Sequence, residues 1–440
     1  MDAPIVIVYL LTIFLLFCRS STSDRTLKLT HVIFRHGNRS PLKAYPTDLY
    51  QEDSWPQGFG QLTQEGMRQH YELGQWLRKR YMTDRKFLNT SYIKAEIHIR
   101  STAYDRTLMS AESNLAGLYP PEGRQVWNKQ LPWQPIPVFT KPMGDDYLLL
   151  AVGHCPRLRE FREEIEKLHN NYISKNKEFF DSVAKLAGFD VNNVTYGNFT
   201  KMADAMYFEI ADGRKLPSWA TKDLINRLLH ILDVSYITEA QQSDEYFKLS
   251  SGQLFNEIVT HLKDKRSGSD KTKMYMYSSH DDNVVFVLRS LYVFNNLSPP
   301  PASTVLIELY QEDDRSYTVD VLFRNNSKTD PIKLQMPGTS GQCTLEHFLK
   351  ITEHLLLGDA ATACKAQTTE DNNGSFLPKT WNTGRLPFSA GQRALQWLAL
   401  LLLLITVILL ASVRKWGKFL RNLNNSFKLR VFSSSSVPDV

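Results

Sequence analysis

The apolar and polar positions of the chain follow two periodic patterns, one of which predicts strands and the other helices. Short runs with a period of two, or apolar throughout, predict β-strands at 27–34, 93–99, 273–277, 305–310 and 317–323. Longer amphipathic runs predict helices at 62–80 and 105–118, the second ended by two prolines. Strands that alternate with helices are typical of the α/β class.

The middle of the chain has a different pattern. Four prolines between residues 132 and 142 break that segment into loops, and residues 157–253 are mainly helical and charged, without strong strands. We therefore predict an inserted, mostly helical cap at roughly 133–253.

Two apolar runs lie outside the predicted globular part. The first, 5–17, is followed by a Ser/Thr cluster and is typical of a secretory signal peptide, which we place at 1–23. The second, 395–413, contains 19 residues without a charge, enough to span a bilayer, and basic residues follow it at once. The sequence thus predicts a type I membrane protein with an ectodomain at 24–375, a stalk at 376–394, one transmembrane helix and a cytoplasmic tail at 414–440.

The net charge of +6 does not indicate nucleic-acid binding, because residues 414–440 carry +5 of it and the remainder of the chain is nearly balanced. Six N-x-S/T sequons in the predicted ectodomain agree with passage through the secretory pathway and are expected to be glycosylated. Their asparagines are Asn89, Asn193, Asn198, Asn296, Asn325 and Asn373.

The sequence has four cysteines, of which Cys18 falls within the predicted signal peptide. The remaining Cys155, Cys343 and Cys364 face an oxidising compartment and can form at most one bridge within the chain. The sequence contains no CxxC, HxH or HExxH pattern, so we expect no structural zinc site and no cofactor.

Charged residues follow three of the predicted strands. Arg35 and His36 follow the first, Arg100 ends the second, and His280 and Asp281 follow the third. Open α/β sheets bind ligands at the carboxyl ends of their strands. We therefore expect these residues to line one crevice.

Arginine suits an anion site, because its planar guanidinium binds phosphate oxygens through paired donors and stays charged. Arg35, Arg39 and Arg100 together would hold a phosphate dianion and stabilise the charge that develops during phosphoryl transfer. Gly37 is expected to let the backbone approach the phosphate without a Cβ in the way.

The two histidines and the aspartate complete a reaction scheme. Neighbouring positive charge should lower the pKa of His36, and a neutral imidazole can attack phosphorus to form a phosphohistidine. His280 is expected to donate to the phosphoryl oxygens, and Asp281 to protonate the leaving alcohol. The arginines supply the positive charge, so this scheme requires no metal, and an acidic pH optimum follows as a hypothesis.

At these residues the sequence resembles the histidine acid phosphatases, closest to the prostatic, lysosomal and testicular types. RHGNRSP (35–41) and SSHDDN (278–283) carry the two signatures of the family. Further matching stretches are WPQGFGQLTQEG (55–66), IRSTAYDRTLMSA (99–111), WQPIPV (133–138) and CPRLREF (155–161).

The resemblance implies a central mixed sheet flanked by helices, as in the phosphoglycerate mutases, with a helical cap. It also implies two-step, metal-free hydrolysis of phosphomonoesters, a homodimer, and a lysosomal, endosomal or cell-surface location. Its motifs imply the following roles: nucleophile His36, general acid Asp281, and phosphate ligands Arg35, Arg39, Arg100 and His280.

The chain departs from this family at several positions. Asn38 and Ala103 stand where aspartate is usual, and Asp282 stands where a small Thr or Ser is usual. These changes bear on the pH optimum and the substrate preference more than on activity itself. By the flanking motifs, Cys155 is expected to pair with Cys364, which leaves Cys343 without a partner, and the tail lacks a tyrosine-based sorting signal.

Other functions stay open at this point. One is a narrower phosphatase for lysophospholipids or nucleoside monophosphates, because the cap residues that set specificity cannot be interpreted from the sequence. A second is a catalytically weak, anion-binding ectodomain, and a third is a metal-dependent phosphatase.

Overall fold

The computed structural model describes residues 25–365. The predicted signal peptide, the sequon at Asn373, the stalk, the transmembrane segment at 395–413 and the tail lie outside these residues. Within the described part, we find no helix with both the length and the apolar character needed to cross a bilayer.

A seven-stranded mixed sheet forms the centre of the protein, as expected for the α/β class. Six strands follow the order β2-β3-β1-β4-β5-β6, and β7 pairs with β5. The first three of these are parallel to one another, and the remaining pairs are antiparallel. The strands are β1 (Thr26–Arg35), β2 (Ile97–Ser101), β3 (Met274–Ser279), β4 (Thr304–Gln311), β5 (Tyr317–Arg324), β6 (Ile332–Leu334) and β7 (Cys343–Thr344).

Helices cover both faces of the sheet and form the cap. The helices are α1 (Gln64–Arg78), α2 (Asp105–Leu118), α3 (Ala151–His154), α4 (Pro156–Lys175), α5 (Lys177–Ala187), α6 (Tyr196–Ala211), α7 (Lys222–Ala240), α8 (Asp244–Ser267), α9 (Asp281–Ser290), α10 (Leu345–Thr352) and α11 (Ala360–Ala363). A π-helical turn, Lys79–Asp84, extends α1, so the predicted helix at 62–80 ends in a wider turn.

Two apolar clusters hold the helices on the sheet. Side chains of α1 and α2, such as Leu73 and Leu115, pack on one face. Side chains of α8 and α9, such as Phe255 and Val285, pack on the other. The residues of β1 and β4 are therefore buried over most of the length of these strands, because helices cover them from both sides.

The region that the sequence predicts as a cap begins with loop up to residue 150 and continues as helices α3 to α8. Helices α5, α6 and α7 have an apolar cluster of their own, which includes Phe180, Phe199 and Ile231. Tyr45, in the loop after β1, packs into this cluster and joins it to the sheet. The cap thus has a small apolar core of its own, which lies beside the carboxyl end of β1.

A disulfide joins Cys155, at the start of α4, to Cys364, at the end of α11. This confirms the pairing implied by the resemblance. The bridge closes a loop of 209 residues, so it ties the beginning of the helical region to the last described helix. Cys343 is free and buried, also as expected.

A pair of buried carboxyl groups connects the loop after β1 to the cap. Glu209, in α6, is fully buried and hydrogen-bonded to Asp48. An ionised carboxylate has no donor, so this contact requires a proton. Burial and the charge of Asp48 raise the pKa of Glu209 from 4.5 to about 8.

We predict that Glu209→Gln stabilises the protein relative to wild type by an amount that grows as the pH rises from 4.5 to about 8. The folded state of the wild type binds the Glu209 proton more tightly than the unfolded state, so stability is lost as pH rises through this window. Glutamine has no proton to lose and still donates to Asp48.

The measurement is the melting temperature at pH 5, 6.5 and 8. Glu178→Gln, an exposed change of the same kind in α5, is the control. A Glu209→Gln shift that is the same at all three pH values would contradict the assignment of a protonated Glu209.

Candidate active site

Strands β1 and β3 place the two signature motifs side by side. They are parallel neighbours, and Arg35 pairs with Ser279 at their carboxyl ends. The His36 N–H donates to the Ser279 carbonyl at 3.0 Å. The rings of His36 and His280 consequently lie 5.7 Å apart, edge to face.

His36 is buried and its tautomer is fixed by the backbone. Its Nδ1 lies 2.8 Å from the Gly37 carbonyl oxygen, which can only accept, so Nδ1 carries the proton. Nε2 is then left with its lone pair. Burial lowers the pKa of His36 well below its ordinary value, and the positive charges of Arg35, Arg106 and Arg39 lower it further. The imidazole is therefore neutral, as a nucleophile must be.

Arg35 is paired with the aspartate of the second motif. Its Nη2 lies 2.7 Å from Asp281 Oδ2, and its Nη1 donates to the Pro299 carbonyl. Burial alone would raise the pKa of Asp281, but the charges of Arg35 and Arg39 outweigh it and hold the pKa at about 2. Tyr236, in α7, also donates a hydrogen bond to this carboxylate. Asp281 is therefore ionised in the free protein.

Arg39 points into the same cleft and is held by the cap. It forms a two-pronged ion pair with Asp204 of α6, at 2.9 Å and 2.6 Å. Its guanidinium also stacks on the Phe208 ring, 4.3 Å from the centroid.

Arg100 does not join this group. The register of the sheet places it level with Tyr277 and Ile33, two residues before Arg35. It lines a separate pocket of about 500 Å³ and lies 2.9 Å from Asp146. Its side chain therefore enters this second pocket, whereas Arg35 and the signature histidines line the cleft.

Arg106 takes the position that Arg100 was expected to fill. It lies in the first turn of α2, after the strand has ended, and its Nη2 is 3.5 Å from His280 Nδ1. Burial lowers its pKa to about 10, and the charge of Arg39 acts in the same direction. The stretch IRSTAYDR contains two arginines, which was the available signal, but only the tertiary structure shows that Arg106 reaches the cleft and Arg100 does not.

His280 begins helix α9 and is almost completely buried. Its Nε2 lies 3.1 Å from the Thr102 hydroxyl, and its backbone N–H donates to Asn283. Burial lowers its pKa to about 3, and the charge of Arg106 lowers it as well. This imidazole is also neutral.

The three arginines of the cleft share an unusual feature. The Nε atoms of Arg35, Arg39 and Arg106 are buried and have no hydrogen-bond partner among residues 25–365. A buried donor without an acceptor is costly, and such donors are rare in native proteins. Three of them around one cleft indicate a site for an anion with several oxygens.

Gly37 and Asn38 have structural roles that the sequence did not indicate. A Cβ on Gly37 would lie 2.4 Å from the Gly66 carbonyl oxygen, so this glycine allows the loop to pack against the start of α1. Asn38 donates to Thr63, the N-cap of that helix, at 3.0 Å. The missing side chain of Gly37 thus serves loop packing, and Asn38 anchors the loop to α1.

Two further carboxyl groups line the cleft, and sequence reasoning missed one of them. Asp282 follows Asp281, and burial together with the charge of Asp281 raises its pKa to about 7. Glu239, in α7, has its pKa raised well above the ordinary value by burial and by Asp282. The carboxyl groups of Asp282 and Glu239, which line the cleft, are therefore protonated at acidic pH.

The cleft measures about 1460 Å³ and is lined by the signature motifs on one side and by cap helices α6 and α7 on the other. This volume exceeds that of most small-molecule pockets, so a sizeable group can accompany the anion. Among residues 25–365, no three His, Cys, Asp or Glu side chains are arranged to hold a metal ion.

The family model "Histidine phosphatase superfamily (branch 2)" matches residues 26–324, and the chain belongs to this family. Similar curated proteins are prostatic acid phosphatase of Homo sapiens and lysosomal acid phosphatase of Homo sapiens, each 42% identical. The alignments cover 82% and 78% of this chain and 94% and 81% of those proteins, respectively.

Solved structures support the fold. The phytase of Citrobacter braakii superposes with a TM-score of 0.59 at 17% identity, over 77% of this chain and 99% of that chain. The phytase of Hafnia alvei in complex with tartrate gives the same TM-score at 16% identity, over 79% of this chain and 100% of that chain.

We predict that Arg106→Gln weakens phosphate binding by at least about ten-fold, because it removes a charged donor from the cleft. Arg100→Gln is expected to leave phosphate affinity within about two-fold of wild type but to cost about 3–5 kcal/mol of stability, since Asp146 would be buried without its cation.

Calorimetric titration with inorganic phosphate and thermal melts measure the two effects. The double variant Arg100→Gln/Asp146→Asn removes both charges and is the control for stability. Loss of phosphate affinity in Arg100→Gln, with Arg106→Gln unaffected, would return the phosphate role to Arg100.

Proposed function

We propose that this protein is an acid phosphatase that hydrolyses phosphomonoesters through a phosphohistidine on His36. One observation carries the proposal: a buried, neutral imidazole with a free Nε2 lies among three guanidinium groups whose Nε–H donors lack acceptors. The printed names of the relatives, prostatic and lysosomal acid phosphatase, support the same activity.

In the first step, His36 Nε2 attacks phosphorus and the bond from phosphorus to the ester oxygen breaks. The leaving alkoxide takes a proton from Asp281 and departs as an alcohol. In the second step, water attacks the phosphohistidine while the Asp281 carboxylate accepts its proton. Phosphorus–nitrogen cleavage then releases inorganic phosphate and restores the free imidazole.

Asp281 must be protonated for the first step, although it is ionised in the free protein. The negative charge of a bound phosphate opposes ionisation and engages the arginines that otherwise lower the pKa of Asp281. We infer that substrate binding brings the proton to Asp281, which favours turnover at acidic pH.

Arg35, Arg39 and Arg106 supply the positive charge around the equatorial oxygens, so the scheme needs no metal. Arg106 replaces Arg100 in the phosphate ligand set inferred from the sequence. His280, which lines the cleft with its ring 5.7 Å from that of His36, completes that set. An anion-binding protein without turnover has less support, because the nucleophile and the acid both lie at the cleft.

We also propose that the protein is a glycosylated type I membrane protein of the lysosomal or extracellular compartment. The sequon asparagines Asn89, Asn193, Asn296 and Asn325 are exposed, which suits glycosylation. Asn198 suits it less, because its side-chain oxygen accepts hydrogen bonds from Thr195 at the start of α6.

A homodimer is proposed at the β2 edge of the sheet. Trp127, Trp133 and Phe139 expose 59%, 38% and 48% of their surface, and Phe139 bridges to β2. Exposed apolar rings in one loop segment that pairs with a sheet edge through Phe139 are typical of a protein interface.

The purified full-length protein is expected to hydrolyse p-nitrophenyl phosphate from pH 4 to 7, with activity retained in EDTA. His36→Ala should lower kcat by at least about a thousand-fold, because the nucleophile is lost. Denaturation during turnover of ³²P-labelled substrate should trap label on the wild type alone. Activity lost in EDTA and restored by a divalent metal would favour a metal-dependent phosphatase instead.

A second prediction concerns Asp282. This residue is neutral below about pH 7 and negative above it, and a negative Asp282 repels the substrate dianion. kcat/KM should therefore fall as the pH rises through about 7.

Asp282→Asn should move this decline to higher pH. The ratio of variant to wild-type kcat/KM, measured on one substrate, cancels the ionisation of the substrate itself. A ratio that stays constant from pH 5 to 8 would remove Asp282 as the cause.

A further inference from the structure

We propose that Asp204, in cap helix α6, is a positioning residue for phosphate binding that orients the guanidinium of Arg39. The inference rests on the proposed function, because it takes the anion of the cleft to be the phosphoryl group of the substrate. Asp204 acts through Arg39 and is not proposed to touch the substrate.

The contact between the two residues is well defined. Arg39 Nη1 donates to Asp204 Oδ2 at 2.9 Å, and Nη2 donates to Oδ1 at 2.6 Å. The two side chains are 6% and 15% exposed. A two-pronged pair that is largely shielded from water fixes the guanidinium plane more firmly than a single hydrogen bond does.

The donors of Arg39 can be counted individually. A guanidinium has five N–H groups, of which Asp204 uses one on each Nη and the Ser40 carbonyl takes a second from Nη1 at 3.1 Å. What remains is the N–H of Nε and the second N–H of Nη2. These two lie on one edge of the plane and form the paired donors that bind phosphate oxygens. The Nε of this edge is buried and has no partner among the described residues.

Asp204 therefore determines which edge of Arg39 remains for the anion. Without it, the end of the guanidinium could turn toward a phosphate through either Nη, and the paired edge would no longer be selected. The Phe208 ring, one turn further along α6, lies 4.3 Å from the guanidinium and restricts its tilt. Both restraints come from the same helix.

The pairing also limits the net charge of the cleft. Arg39 and Asp204 together are neutral, so this arginine contributes direction more than net charge. Positive charge still comes from Arg106, whose pKa stays near 10. Removal of Asp204 would therefore increase the net positive charge, and an argument from charge alone predicts tighter phosphate binding.

Lost positioning of Arg39 and added positive charge thus have opposite effects on phosphate affinity when Asp204 is removed. We expect Asp204→Asn in the full-length protein to weaken binding of inorganic phosphate and to raise KM, each by about ten-fold. The change in kcat should be smaller. Asp204→Glu, which keeps the carboxylate on a longer side chain, should restore part of the affinity. Titration calorimetry with inorganic phosphate measures binding without turnover.

A double-mutant cycle separates positioning from a structural role. If Asp204 acts through Arg39, then Asp204→Asn should have no further effect on phosphate affinity in an Arg39→Ala background. Asp181→Asn, which breaks a cap ion pair with Lys177 in α5, is the matched control and should leave phosphate affinity unchanged.

Two outcomes would overturn the proposal. One is phosphate binding by Asp204→Asn that is as tight as that of wild type or tighter. The other is a full loss of affinity by Asp204→Asn in the Arg39→Ala background. A wild type that binds phosphate without hydrolysing esters would refute the proposed function alone, because the calorimetric cycle still decides the role of Asp204.

Discussion

The parallel pairing of β1 with β3 is the constraint on which the rest of the site depends. It sets Arg35 opposite Ser279, so that the two strands end at the same level. His36 and His280, which follow them directly, consequently lie with their rings 5.7 Å apart. The backbone hydrogen bond from His36 to Ser279 continues the ladder one residue beyond the strand. A slip of one residue would turn His36 to the other face of the sheet.

Concentrating three arginines in one cleft creates a repulsion that the fold must balance. Asp281 balances Arg35, and Asp204 balances Arg39, each at hydrogen-bond distance. Both histidines are kept neutral by burial and by the same positive charges. Arg106 leaves the cleft with a net positive charge, which attracts an anion such as a phosphate dianion.

The cap contributes to the chemistry as well as to the shape of the cleft. Helix α6 holds Arg39 through Asp204 and Phe208, and helix α7 supplies Tyr236 to Asp281 and the carboxyl group of Glu239. The buried pair of Glu209 and Asp48 joins the same cap to the loop after β1. Docking of the cap and the arrangement of the arginines around the cleft are thus coupled through a few named contacts.

The sequence by itself determined the five longer strands and the charged residues that follow three of them, because a two-residue period and a strand followed by charged residues are local patterns. The short strands β6 and β7 were not predicted, and the mixed sheet was implied by the family resemblance. The Cys155–Cys364 pairing came from the family resemblance. Only the tertiary structure decided that Arg106 lies at the cleft and Arg100 in a second pocket, since the register between β2 and β3 sets the level of Arg100 and the packing of α2 places Arg106 beside His280. The partnership of Asp204 with Arg39 joins residues 165 positions apart. No local pattern encodes such a contact, because it depends on how the cap packs.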